Sequence, residues 1–191
     1  MARWEPDAVG RLQQAAIALF AERGYADVTV AEIADRAGLT KRTFFNHFPD
    51  KREVLFAGAK AFEASVLKHL EEAPADLEPV AVAMAGLTGA GLELAAYRAF
   101  GQARRELMAS STDLQERDLI KYAALTEAMA GALRRRAVPA RIATFAAQSA
   151  VTVFTAAFDD WIDDPAAGLP ELMQRSLTDL RRAVAPGDRQ G

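Results

Sequence analysis

A chain of 191 residues, 51% of them hydrophobic and with a net charge of −3, is long enough to bury one or two packed cores. The absence of cysteine excludes disulfides, thiolate metal sites and cysteine nucleophiles. With only two histidines, His47 and His69, we expect no metal site and no cofactor, and we take His69 to be a surface residue. The N-terminus lacks an export signal and no run approaches about 18 apolar residues, so we expect a cytoplasmic protein without a membrane segment.

The charge is unevenly distributed along the chain. Between Arg36 and Arg52 there are five basic residues and one acidic residue, a local charge of +4 that leaves −7 for the remainder. A small basic surface on an acidic body is typical of a nucleic-acid contact, although a chance cluster on a solvated face would give the same count.

Apolar residues at helical spacing predict a first helix from about Asp7 to Arg23, and Gly24 has the position of a C-terminal cap. The next stretch, TVAEIADRAGLTKRTFFNHF, runs from Thr29 to Phe48 and contains two short helices. Thr29 and Glu32 have the spacing of a capping box at the start of the first of them. Neither short helix buries much surface alone, so the first helix is expected to pack beneath both.

Small residues predict a tight turn between the two short helices. Ala34 allows them to cross closely, and Gly38 tolerates a positive φ. Thr40 is a suitable cap for the second short helix, in which Phe44 and Phe48 lie four residues apart on one face. The other face of that helix is then polar and basic.

After Pro49, one long linking helix is predicted from about Asp50 to Glu71. Pro79 begins another helix, which the glycines at 86, 89 and 91 are expected to end or bend. The remaining predicted helices are about Leu92–Met108, Thr112–Arg136, Ala140–Ile162 and Leu169–Val184. The predicted fold is all-α with about nine helices. We expect a helix-turn-helix domain over residues 1–49, a larger helical domain over 50–185, and a disordered tail over 186–191.

The second short helix has the side chains that a recognition helix needs in the major groove of DNA. Hydrogen-bonding and apolar groups suited to base edges are Lys41, Arg42, Thr43, Phe45 and Asn46, with the Phe45 ring able to touch a thymine methyl or a sugar. Groups better placed for phosphates are Thr29, Thr40, Thr43, His47 and Lys51. The alternative is a helical protein-interaction module without operator binding. An enzyme is not expected, because neither histidine lies near a glycine-rich nucleophile turn or phosphate loop.

These residues carry a family resemblance. The segments ALFAERGY and VTVAEIADRAGLTKRTFFNHFPDKREVLF, within Asp7 to Leu55, resemble the N-terminal DNA-binding domain of TetR-family transcriptional regulators. The resemblance implies a homodimer that places two recognition helices on a palindromic double-stranded DNA operator. It also implies repression that ends when a small molecule binds the C-terminal domain. The family usually has a tyrosine where this chain has Phe45, so a hydroxyl contact to phosphate is lost.

Two further sets of residues follow from a dimer with an effector site. We expect the last two helices to pair with their symmetry mates, and the predicted interface residues are Phe158, Trp161, Leu172, Leu177 and Leu180. A cavity for an apolar or aromatic effector is expected among the central helices, with Tyr97 and Tyr122 as its polar groups. Its predicted lining is Phe62, Met84, Leu87, Tyr97, Phe100, Met108, Tyr122, Phe145 and Phe154, although any one of these is more often simply core.

Overall fold

The computed structural model describes residues 7–95, 98–164 and 166–185, without the side chains of residues 98–100. Within these residues the chain forms nine α-helices, one short 3-10 helix and no strand, so the predicted all-α class is confirmed. The elements are α1 (Ala8–Arg23), α2 (Val30–Arg36), α3 (Lys41–His47), the 3-10 helix (Glu53–Phe56), α4 (Ala59–Glu72), α5 (Pro79–Glu93), α6 (Arg98–Ala109), α7 (Thr112–Arg135), α8 (Ala140–Asp163) and α9 (Leu169–Val184). The predicted disordered tail, 186–191, lies outside the described residues.

The described residues divide into two compact units. The first unit contains the residues up to Lys60 together with Ala99–Lys121, and the second contains Ala61–Arg98 with the residues from Tyr122 onward. The sequence predicts a single domain boundary near residue 50. The first unit instead includes α6 and the start of α7, because apolar side chains from those helices join its core.

The core of the first unit lies between α1, α2, α3 and the 3-10 helix. Leu12 and Phe20 of α1 are buried against Ile33 of α2 and Phe44 of α3. Leu107, Met108 and Leu114 complete this core from α6 and α7. The prediction that α1 packs beneath the two short helices is confirmed.

The predicted continuous helix from Asp50 to Glu71 is wrong. The chain forms a 3-10 helix at Glu53–Phe56, and α4 begins only at Ala59. The consecutive residues Val54, Leu55 and Phe56 are all buried. Successive side chains of a 3-10 helix point about 120° apart, so burying three in a row requires neighbouring residues on every side of this turn.

The glycines of α5 do not end that helix, which continues from Pro79 to Glu93. A side chain at Gly86 would meet the Val66 carbonyl oxygen at 2.8 Å, and one at Gly91 would meet Leu169 at 2.6 Å. These glycines therefore allow α4 and α9 to approach α5 closely, which offsets their low helix propensity. The helix predicted from Leu92 to Met108 begins instead at Arg98.

The core of the second unit is formed mainly by α5, α8 and α9. The central helix is α8, in which Ala147, Ala150 and Ala157 are fully buried and permit close packing. By length and composition alone, α8 could cross a membrane, with a mean hydropathy of 1.2. Polar residues interrupt α8, so it contains no unbroken apolar run of about 18 residues, and its buried side chains pack against α5 and α9 as in the central helix of a bundle.

Arg136, directly after α7, joins that helix to the end of α4. It donates hydrogen bonds to the last carbonyl groups of α4 and the residues after it, with distances of 3.2 Å to Leu70 and 2.9 Å to Ala73 and Pro74. A cation at a helix C-terminus satisfies carbonyls that have no partner within the helix.

Candidate functional site

Both short helices of the first unit begin with the predicted side-chain caps. The Thr29 hydroxyl accepts from the Glu32 backbone N–H at 3.3 Å, and the Glu32 carboxylate accepts from the Thr29 N–H at 2.8 Å. This is the reciprocal capping box. The Thr40 hydroxyl accepts from the Thr43 N–H at 3.1 Å and so starts α3. Both cap predictions are confirmed, and they fix the directions of α2 and α3.

The turn between α2 and α3 depends on Gly38, whose φ is +64°. Its N–H donates to the Asp35 carbonyl at 2.8 Å, and the next N–H donates to the Ala34 carbonyl. A side chain at this glycine would lie 2.8 Å from the guanidinium of Arg11, which donates to the Ala37 carbonyl. The predicted positive φ is confirmed, and Arg11 joins α1 to the turn.

α3 has one buried and one exposed side. Phe44 and Phe48 point inward, with ring centroids 5.4 Å apart, and hold the helix on the core. The exposed side carries four of the five side chains predicted to suit base edges, Lys41, Arg42, Phe45 and Asn46. Thr43 is half-buried, whereas Thr29, Thr40 and His47 are exposed. The helix therefore presents hydrogen-bonding and apolar groups together on a rigid support.

The basic surface is smaller than the sequence count indicated. Arg36 makes a two-point ion pair with Glu22, with distances of 2.9 and 2.8 Å, and Arg52 pairs with Asp50 at 3.0 Å. Among the described residues, Lys41 and Arg42 make no ion pair. These two side chains are the positive groups most accessible to an anionic partner on α3.

The structure places Lys51 away from any phosphate role. Its ammonium group donates to the carbonyl oxygens of Tyr25, Ala26 and Val28 at 2.7, 3.2 and 2.9 Å. An ammonium has three protons, and these three acceptors take all of them. Burial lowers the pKa of Lys51, against the opposing effect of Asp113 and Asp27. We therefore remove Lys51 from the proposed DNA contacts.

Sequence reasoning missed a polar cluster between the 3-10 helix and α7. The Glu53 carboxylate accepts from Arg117 and, at 3.0 Å, from Lys121. Burial raises the pKa of Glu53, but the hydrogen bonds from these two cations outweigh burial and leave the pKa below its ordinary value. The available signal was the pair of basic residues four apart on α7, which share one face of the helix.

A second missed contact ties the loop after α1 to α7. The Tyr25 hydroxyl donates to Asp113 at 3.4 Å, and Arg52 lies at the same distance from that carboxylate. Burial and the nearby negative charge of Asp113 raise the pKa of Tyr25 to about 12. The tyrosine is therefore a neutral donor at physiological pH.

The predicted effector residues do not line one cavity. Phe62, Met84, Leu87 and Phe154 belong to the core of the second unit, whereas Met108 is in the core of the first. Tyr97 lies outside the described residues, and the Phe100 side chain is not described. Tyr122 is half-buried on α7.

Phe145 does not lie beside the other residues predicted to line the cavity. Its side chain is 52% exposed, although Phe154 on the same helix is buried. Nine residues are about two and a half turns of an α-helix, so the two phenylalanines point in opposite directions. A single pocket cannot contain both side chains.

The predicted interface residues also face mainly inward. Trp161, Leu172 and Leu177 are buried within the second unit, and Phe158 and Leu180 are half-buried against the same core. Trp161 and Leu172 therefore offer almost no surface to a second copy and are core residues, whereas Leu177 packs in the core and also lies at the edge of a groove.

Helices α8 and α9 also have an exposed apolar surface. A groove of about 360 Å³ lies where α8 and α9 meet the start of α5. Exposed Ile142, Phe145 and Val184 line it, together with Leu177 and Leu180. We call this the α8–α9 groove.

Comparison with known proteins places the helix-turn-helix in a family. Residues 12–57 match the family model described as "Bacterial regulatory proteins, tetR family". The HTH-type transcriptional regulator TcmR of Streptomyces glaucescens is 37% identical over 70 residues, which cover 37% of this chain but only 31% of TcmR. The similarity to that relative is therefore limited to about a third of each protein.

Solved structures resemble the chain over most of its length. A SmeT–triclosan complex, of the repressor of a Stenotrophomonas maltophilia multidrug efflux pump, aligns with 96% of this chain and 97% of SmeT at a TM-score of 0.59 and 23% identity. A transcriptional repressor FadR from Thermus thermophilus, in complex with lauroyl-CoA, aligns with 96% of this chain and 98% of FadR at a TM-score of 0.54 and 22% identity. At these identities the likeness establishes the fold. Together with the match of residues 12–57 to the tetR family model, it shows a TetR-like fold whose N-terminal helix-turn-helix is that of the family's DNA-binding domain.

Proposed function

We propose that this chain represses transcription by binding a palindromic operator as a homodimer, and that a small apolar or aromatic effector releases it. The observation that carries the proposal is the exposed side of α3. Lys41, Arg42 and Asn46 lie there together, on a helix whose other side is held in the core by Phe44 and Phe48. An α-helix with such an outer side fits the major groove of B-form DNA.

Each polar group of α3 has a suitable partner on DNA. Arg42 or Lys41 can donate to the acceptors of guanine, and Asn46 can pair with adenine. The hydroxyls of Thr29, Thr40 and Thr43 and the ring of His47 are assigned to phosphates, which fix the register without reading sequence. Thr29 and Thr40 also begin α2 and α3, so their phosphate contacts would orient both helices together.

Selection of bound duplexes from a random DNA pool tests operator binding directly. We expect a recovered palindrome and an affinity that falls steeply as salt concentration rises. Arg42→Ala should change the base preferred at one position of each half-site. Arg175→Ala is the matched control, because Arg175 pairs with Asp160 on an exposed part of the second unit.

The alternative, a helical interaction module without operator binding, predicts a different result. In that case the pool yields no enriched sequence, and any binding to DNA is weak and independent of sequence. Such an outcome would overturn the repressor proposal.

The α8–α9 groove supports the homodimer. A palindromic operator requires a protein with two-fold symmetry, and exposed apolar side chains on the last two helices offer a self-complementary surface. Ile142, Phe145 and Val184 are between 48 and 72% exposed in the single chain. Light scattering at micromolar concentration should report twice the mass of the chain, and a monomer at that concentration would contradict the dimer.

The effector is assigned to an aromatic row in the second unit. Ring centroids follow one another at 5.8 Å from Phe62 to Phe154, 5.1 Å from Phe154 to Phe158 and 5.5 Å from Phe158 to Trp161. Phe154 and Trp161 are buried, so a ligand would have to replace core contacts along this row, which favours an apolar or aromatic molecule. The structurally similar SmeT and FadR were solved with triclosan and lauroyl-CoA, respectively.

Fluorescence of Trp161 gives a local readout of effector binding. The chain has two tryptophans, and replacing Trp4 with phenylalanine leaves Trp161 as the single reporter. A panel of apolar aromatic compounds is titrated against the protein bound to its operator. A true effector should release DNA and change the Trp161 emission over the same concentration range. A compound that releases DNA without changing that emission would place the effector site elsewhere.

A further inference from the structure

We propose that Phe45 determines sequence specificity by contacting the C5 methyl group of a thymine in each operator half-site. The inference rests on the proposed operator binding and identifies one of the groups that α3 recognises. Phe45 lies on the exposed side of α3, between Lys41 one turn earlier and Asn46 next along the chain, and is 48% exposed. A large apolar side chain that is half-exposed, on a helix held to the core by Phe44 and Phe48, leaves much of its ring available to a partner.

The Phe45 ring is held in place from two sides. It makes an edge contact with the fully buried Phe44 ring, at a centroid distance of 5.7 Å and an interplanar angle of 82°. The Lys41 ammonium lies 5.9 Å from its centroid. Aromatic and cation–π contacts of this kind restrict a ring that has only two rotatable bonds, so little conformational freedom remains to be lost on binding.

The chemistry of the ring selects its target. A phenyl group neither donates nor accepts a hydrogen bond, so it cannot read the polar atoms of guanine, adenine or cytosine or replace a phosphate contact. Thymine presents a methyl group in the major groove, and apolar side chains contact it there. A contact with deoxyribose would leave affinity independent of that methyl group, which makes the two targets experimentally separable.

The test uses operator duplexes in which single thymines are replaced by deoxyuridine, which removes only the methyl group. Fluorescence anisotropy of the full-length protein should show one position per half-site where the replacement weakens binding by about fourfold, as expected for one buried methyl-sized group. Replacing both symmetry-related thymines should weaken binding by roughly fifteenfold, if the two half-sites contribute independently.

Variants of Phe45 assign the effect to this side chain. Phe45→Ala should bind more weakly and lose the difference between thymine and deoxyuridine at that position. Phe45→Leu should keep that difference, because it remains apolar. Circular dichroism should show unchanged folding for both, since the ring is half-exposed.

The outcomes separate this inference from operator binding itself. Sequence-selective binding without sensitivity to any thymine methyl would overturn the role of Phe45 and leave the repressor proposal standing. A deoxyuridine effect that persists in Phe45→Ala would show that another residue reads the methyl group. If the selection recovers no operator, the proposed function itself is contradicted, and the role of Phe45 falls with it.

Discussion

The ammonium group of Lys51 lies 2.7 Å from the carbonyl oxygen of Tyr25 and 4.3 Å from the centroid of the same residue's ring. It therefore binds both the backbone and the π face of one residue while donating to two further carbonyls of the loop between α1 and α2. That loop leads directly into the capping box at Thr29. Lys51 thus positions the helix-turn-helix from the segment that follows it.

Lys51→Met should destabilise the chain while leaving the outer side of α3 unchanged. The substitution keeps an unbranched side chain but leaves half-buried carbonyl groups without a charged donor. We expect the free energy of unfolding to fall by about 2 kcal/mol. Urea unfolding followed by circular dichroism measures the change.

Lys41→Met is the matched control, because its amine is exposed on α3 and makes no ion pair among the described residues. It should weaken DNA binding yet alter stability by less than about 0.5 kcal/mol. A Lys51→Met protein of unchanged stability but weakened DNA binding would restore Lys51 to the phosphate contacts.

The capping box at Thr29 should make the stability of the chain depend on pH. Hydrogen bonds from the Thr29 hydroxyl and backbone, followed by Arg23, lower the pKa of Glu32 from its ordinary value of 4.5 to about 2. The folded-state pKa is depressed, so the contribution of Glu32 to stability is complete above pH 4.5 and is lost as pH falls towards 2. Carboxyl chemical shifts measured by NMR should give a midpoint near 2 for Glu32.

Glu32→Gln is the control for this titration. Glutamine can accept from the same Thr29 N–H, so the box should persist without a titrating group. The acid-induced loss of stability between pH 4.5 and 2 should be smaller in this variant than in the parent chain. An ordinary midpoint for Glu32 in the parent would show that the carboxylate is not held by the cap.

How far the sequence could predict this site depends on how local each contact is. The caps at Thr29 and Thr40 and the positive φ of Gly38 involve residues within a few positions of one another, so residue type and spacing predict them. The acceptors of Lys51 are 23 to 26 residues away. The packing of α1 against the 3-10 helix that follows Lys51 brings them together, and no spacing in the sequence signals it.

The helices show the same distinction. The ends of α8 and α9 follow from proline, glycine and the apolar periodicity. The break before α4 lies instead beside Val54, Leu55 and Phe56, whose burial together depends on the surrounding helices. A row of apolar residues on a helix does not reveal whether the same chain or a second copy covers it. The sequence therefore predicts Trp161 and Leu172 at a dimer interface, whereas the structure packs them within the chain.

Glu53→Gln tests the contact between the 3-10 helix and α7. The variant removes the charge that Arg117 and Lys121 share, while retaining the shape of the side chain. Because the cations keep some access to solvent, we expect a loss of about 1 kcal/mol at pH 7. Urea unfolding at that pH measures it. Glu116→Gln, on an exposed part of α7, should leave stability unchanged, and equal losses in the two variants would contradict a specific role for Glu53.

Ala137→Gly should stabilise the chain. Ala137 has a φ of +64° after the end of α7, where its N–H bonds to the Arg134 carbonyl and the next N–H bonds to the Leu133 carbonyl. A left-handed conformation strains alanine but not glycine. We expect a gain of about 1 kcal/mol after allowing for the greater freedom of glycine in the unfolded state.

Ala124→Gly makes the same chemical change within the exposed face of α7. There the substitution should cost about 1 kcal/mol, because the backbone is already helical. Both free energies of unfolding are measured in urea under identical conditions. An increase for Ala137→Gly and a decrease for Ala124→Gly would show that the backbone conformation at each position decides the effect of glycine. A loss of stability at both would refute the strain at Ala137.

The last prediction distinguishes the two apolar surfaces of α8. Phe145→Asp places a charge in the α8–α9 groove, where a second copy would have to bury it, and should convert the dimer to a monomer that keeps its helical content. Trp161→Ala removes a side chain that is only 5% exposed, and should instead lower the free energy of unfolding by about 3 to 5 kcal/mol. Light scattering and urea unfolding of both variants separate the two effects. The proposed repressor binds a palindromic operator with both protomers at once, so on that proposal the Phe145→Asp monomer should also bind a full operator little better than a half-site. A dimer that survives Phe145→Asp would show that the copies meet on another face.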